Sequence, residues 1–183
     1  MAVSAARSEA LRTKAEAGVG TGIETLAFFE VLLIGIWLGS MMFFSFAVAP
    51  SAFGVLPSRH LAGQIVSSTL MKVEVLGLIL GSVLLIIQMV GWRARAEEGR
   101  GRLVRAVLIA VMIAMAALSR FWVSPALNAL RGAMGGRIDD VPATDPLRVE
   151  FNDLHQYSVW LMATAMLAGI TLLFLTVRSW MRR

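Results

Sequence analysis

Two histidines, several methionines and a few charges set into apolar sequence are the residues of this chain that could do chemistry. His60 and His155 are its only histidines. Imidazole can hold a metal or relay a proton, and thioether sulfur prefers soft ions. A cluster of His60, His155, Met41, Met42 and Met71 would therefore suit Cu(I), and Met162 and Met166 follow His155 on a roughly shared helical face. A second group is ionic. Glu74, Arg120, Asp153 and His155 stand near the ends of three apolar segments, where a charge is costly unless it is paired. The expectation is a polar layer on one side of a membrane, in which Arg120 pairs with Glu74 or Asp153. Glu30, one turn inside another apolar run, needs a partner or water.

Several chemistries are excluded or unsupported. The chain has no cysteine, which removes thiol catalysis, disulfides and cysteine-ligated metals. It has no HExxH, phosphate-loop, GxSxG or CxxCH motif. Ser158, His155 and Asp153 make a triad on paper, but nothing in the sequence aims the imidazole at the hydroxyl. A non-enzyme with no resident cofactor is expected, Cu(I) being the one metal that the residues suggest.

The elements that must position these residues are membrane spans. Leu26 to Ala49 is apolar apart from Glu30 and is closed by Pro50. As a helix its roughly 24 residues reach about 36 Å, enough to cross about 30 Å of hydrocarbon with some tilt. With 57% hydrophobic and 16% charged residues, the chain is too apolar for a soluble domain of its length. The fold class expected is all-α, a polytopic membrane four-helix bundle, with spans at about 26–49, 65–91, 103–123 and 152–177. A polar segment, 1–25, precedes them, and a basic tail, 178–183, follows. The late, long first apolar run does not resemble a cleaved signal peptide.

Pro50 and Pro57 disfavour helix between the first two spans, so 50–64 is expected to turn over the mouth of the bundle, and Pro125 to bend or end the third span. Gly35 and Gly39 in the first span, and Gly77 and Gly81 in the second, are four apart, which predicts a close glycine-mediated contact between the two. Lys72 can reach the headgroup boundary with its stem, and Trp92 suits an interfacial ring.

Basic residues set the orientation. Arg7, Arg12 and Lys14, five arginines between Trp92 and Arg105, and the tail outnumber Arg59, Arg131, Arg137 and Arg148 on the other side. Both termini should therefore be cytoplasmic. The same placement explains the net charge of +5 without nucleic acid, since no basic patch is interleaved with aromatics. The lipid bilayer is the expected partner, with a homo-oligomer or a second membrane protein as further candidates.

Four stretches carry a family resemblance: WLGSMMFFSFAVAPSAFGVLP, HLAGQIVSSTL, SPALNALRG and FNDLHQYSV. In this order around four spans they resemble the membrane family called domain of unknown function 4149, or transmembrane protein 205-like. The resemblance implies a small multipass protein of undefined biochemical activity, in a bacterial cytoplasmic (inner) membrane. Its recurrent positions would be Trp37, Gly39, Pro50, Phe53, Pro57, Gly63, Pro125, Asn128, Arg131, Phe151, His155 and Ser158. A fourth-span asparagine associated with the family is Met162 here. The family is also distantly similar to membrane copper-resistance domains. Two functions follow as expectations: a structural or accessory membrane protein, and a transporter or copper-type metal-handling protein using the outer polar layer.

Overall fold

A computed structural model describes residues 2–90, 99–135 and 138–181. Among them there are helices and no strand: α1 (Ala2–Phe43), α2 (Ala49–Val55), α3 (Arg59–Val90), α4 (Gly99–Leu118), α5 (Ser124–Ala133) and α6 (Pro146–Met181), with a short 3₁₀ turn at Ile138–Asp140. They form four helices long and apolar enough to cross a membrane, Glu24–Val55, Arg59–Val90, Gly99–Ala133 and Pro146–Ser179. We call these spans one to four. The polar N-terminal segment is continuous with span one, because α1 begins at Ala2.

Pro50 does not close its helix, contrary to expectation, and of the two outcomes expected at Pro125, bending or ending the span, the helix does not end there. Each proline is preceded by a five-residue π turn, Phe44–Val48 in span one and Ser119–Val123 in span three. In each turn the N–H just before the proline bonds five residues back, Ala49 to Phe44 O and Ser124 to Ser119 O. The extra residue widens the turn, which moves aside the carbonyl that a proline ring would strike in a regular helix. The two breaks share a sequence pattern, Phe46-Ala-Val-Ala-Pro50 and Phe121-Trp-Val-Ser-Pro125. The helix of span one stops only at Val55, and Leu56 turns extended ahead of Pro57. The connector over the mouth is thus much shorter than 50–64.

The spans pack in a ring, each along its neighbours in the chain and the first along the fourth. Ile34, Trp37, Leu38, Leu84, Ile109, Met112 and Leu172 lie in the core. Trp37 is its key. A Cβ on Gly77 would lie 2.5 Å from Trp37 Nε1, and one on Gly81 would lie 2.5 Å from Ile113 Cγ1 and 2.9 Å from Trp37 Cη2. The glycine pair of span two is therefore the slot that admits the indole. Gly35 and Gly39 are exposed, and a Cβ on either would meet nothing within 4 Å. The predicted meeting of two glycine faces is corrected: one glycine face meets a tryptophan.

Large apolar side chains cover the outside, among them Phe28, Phe43, Phe46, Ile79, Phe121 and Trp160. At most 33% of any span's apolar window is buried, so the spans keep broad apolar faces for lipid. Trp92, Arg93, Arg95, Arg137, Arg182 and Arg183 lie outside the described residues. Arg105, counted with the basic loop, is instead 2% exposed within α4.

Candidate functional site

Glu74 sits on the inward stripe of α3 with Gly77, Gly81, Leu84 and Gln88, and is 3% exposed. Its Oε1 accepts hydrogen bonds from Ser119 Oγ and, at 3.0 Å, from Ser124 Oγ. Residues five apart on a regular α-helix point about 140° away from one another. The π turn between these serines brings Ser124 over Ser119, five residues back, so both hydroxyls reach one carboxylate oxygen. The other oxygen, Oε2, is buried and has no hydrogen-bond partner.

Beside Glu74 is a cavity of about 20 Å³. Methionines from three spans line it, Met41, Met112, Met115 and Met162, together with Trp37 and Ser119. The space suffices for one water or one desolvated ion. A carboxylate with one oxygen tied and one unbonded can take a proton or a cation, and thioethers add soft, polarisable donors.

The predicted polar layer divides. Arg120 forms no salt bridge with Glu74, although its charge acts on the carboxylate from nearby. It is half-buried, with its guanidinium carbon 5.9 Å from the Phe121 ring centroid. Asp153 is exposed and forms no ion pair among the described residues. His155 is two helical turns from Met162, about 10 Å along the axis, so it stands above the Glu74 level. Of the five residues proposed for Cu(I), only Met41 borders the cavity. Met42 is exposed, Met71 is half-buried on α3 away from the cavity lining, His60 Nε2 is 3.1 Å from Gln64 Nε2, and His155 stacks on Phe151. No group of three or more His, Asp or Glu suited to a metal occurs among the described residues.

The second tier gathers around Arg131. Its Nη1 donates to Ser67 Oγ at 3.1 Å and to Asn128 Oδ1 at 3.4 Å, and its guanidinium lies 5.7 Å from the Phe151 ring centroid. Gly63 leaves room for it, since a Cβ there would be 3.2 Å from Nη2. Gly63, Asn128, Arg131, Phe151 and His155, named from the family resemblance, thus meet at one end of the bundle. Ser158 bonds the His155 carbonyl on the same helix, whereas Phe53 is exposed.

A third polar level lies at the opposite end. Gln88 Nε2 donates to Glu30 Oε1 at 2.7 Å, which supplies the partner expected for Glu30. Arg105 Nη1 donates to Ser179 Oγ at 3.3 Å. Each span contributes one of these four residues.

Sequence reasoning missed Ser119, Ser124, Met112 and Met115 as one site. The available signal was the spacing of two serines five apart ending at a proline, S-x4-S-P.

No curated protein and no solved structure matches the chain. The family model described as "Domain of unknown function (DUF4149)" matches residues 32–135. The match takes in Trp37, both π-turn prolines, Glu74, its two serines and Arg131, while Phe151, His155 and Ser158 fall beyond it. It covers more than half of the sequence, and the chain belongs to the DUF4149 family.

Proposed function

We propose that this integral membrane protein handles a small soft cation of the Cu(I) type as cargo, with Glu74 as its counter-charge and Met41, Met112, Met115 and Met162 as its sulfur donors. The observation that carries the reading is the buried, unbonded Oε2 of Glu74 beside a methionine-lined cavity. A purely structural polar layer would close both carboxylate oxygens, whereas here the serines close one. Thioethers bind hard ions poorly, and one carboxylate balances one positive charge. π turns often mark functional positions in helices, and one of them sets both serines in place. The basic-residue bias favours cytoplasmic termini, with the Arg131 end facing outward, in a bacterial cytoplasmic membrane.

The test is Cu(I) binding by detergent-purified protein. One ion per chain is expected, weakened about tenfold or more in Glu74→Gln and in Met112→Leu/Met162→Leu, and retained in His60→Ala/His155→Ala. Loss in the histidine variant alone would move the site to the histidines. A well-folded parent that binds nothing would return the protein to a structural or accessory role.

A further inference from the structure

Arg131 is held from three spans, and its charge is not neutralised. Ser67 in span two and Asn128 on its own helix accept from Nη1, and Phe151 in span four lies under the guanidinium. All three partners are neutral. Among the described residues no carboxylate comes within ion-pair distance of it. Of the acids near this end, Asp139 is 3.9 Å from Arg59, Asp140 has an interaction of its own, Asp145 accepts from Leu147 N, and Glu150 and Asp153 are exposed. Arg131 Nε is buried and has no hydrogen-bond partner.

A second unmet donor lies on the same stripe. His60, Gly63 and Ser67 follow one another at helical spacing along α3, and the last two touch Arg131. Gln64 has its amide nitrogen 3.1 Å from His60 Nε2. With that amide donating, Nε2 is the acceptor and the ring proton resides on Nδ1. His60 Nδ1 is also buried without a partner. One uncompensated positive charge and two orphaned N–H donors call for an acceptor that carries negative charge. Tetrahedral oxyanions meet that demand, because the arginine fork pairs with two of their oxygens.

We propose that the bundle end formed by Gly63, Ser67, Asn128 and Arg131 is a binding site for a phosphate group, with His60 as a second donor. The group belongs either to a lipid headgroup at the membrane surface or to a soluble phosphate. This site is independent of the cation reading at Glu74.

The test measures thermal stability of the full chain, delipidated in a phosphate-free maltoside detergent. One arm titrates sodium phosphate against sodium chloride at equal ionic strength. The other adds short-chain phosphatidylglycerol against the diacylglycerol of the same chain length. Stabilisation of the parent by inorganic phosphate identifies a soluble anion, and stabilisation by the phospholipid alone identifies a headgroup. In either case Arg131→Gln should abolish the response. Because that variant can lose folded yield, His60→Ala serves as the second, and should raise the concentration for half the effect about tenfold. Arg59→Gln, at an exposed pair, should respond like the parent. A folded parent stabilised by neither compound, or a response that survives in both Arg131→Gln and His60→Ala, overturns the proposal.

Discussion

The two oxygens of Glu74 have different surroundings, and that difference is the basis of the functional reading. One accepts from Ser119 and Ser124, and the other is buried beside the methionine cavity without a partner. Interhelical hydrogen bonds in membranes are worth roughly 0.6 to 2 kcal/mol, so the serine contacts should be measurable. A double-mutant cycle on thermal stability should couple Glu74 to Ser119 by about 1 kcal/mol, and Glu74 to Arg120 by less than about 0.5 kcal/mol. Equal couplings would restore the ion pair expected from the sequence. That expectation marked Glu74 correctly as a costly charge but named Arg120 where Ser119 and Ser124 supply the hydrogen bonds, for a definable reason. Inward faces are read from sequence at 3.6 residues per turn, and a π turn beginning at Ser119 shifts every face beyond it.

At the scale of the helix, Trp37 and the glycines of span two set the closest approach. In lipid there is no hydrophobic force between helices, so this shape match carries much of the association. Gly77→Ala and Gly81→Ala should each destabilise the bundle by about 1–3 kcal/mol, because the added methyl overlaps the buried Trp37 indole and, at Gly81, Ile113 as well. Gly35→Ala and Gly39→Ala should stay near the parent, since their positions are open. Thermal melts of the four variants check this; uniform losses would show that the slot is not specific. Spacing announced both glycine pairs equally. It could not show which pair faces the bundle, because that depends on the rotation of each helix against its neighbours. The prolines were legible as breakers of regular helix, but not as residues accommodated by a wider turn.

Across the whole molecule, four long apolar runs separated by polar connectors made the architecture readable before any coordinates, since lipid leaves a chain few ways to satisfy its backbone. What was not readable is the vertical order of the polar residues. One outer layer was expected, and there are two tiers, Glu74 with its serines and then Arg131 with Ser67, Asn128 and Phe151. A third level, Glu30 with Gln88, lies fourteen residues along span two from Glu74, about 21 Å away. This depth order depends on where each helix starts and how it turns, information held in contacts between spans. The most direct test of the cation reading is X-ray absorption spectroscopy of the purified protein loaded with Cu(I). Glu74 and the four methionines predict scattering from sulfur and oxygen, with the sulfur signal reduced in Met112→Leu/Met162→Leu. A spectrum dominated by imidazole nitrogen, or one unchanged in that variant, would contradict the assignment.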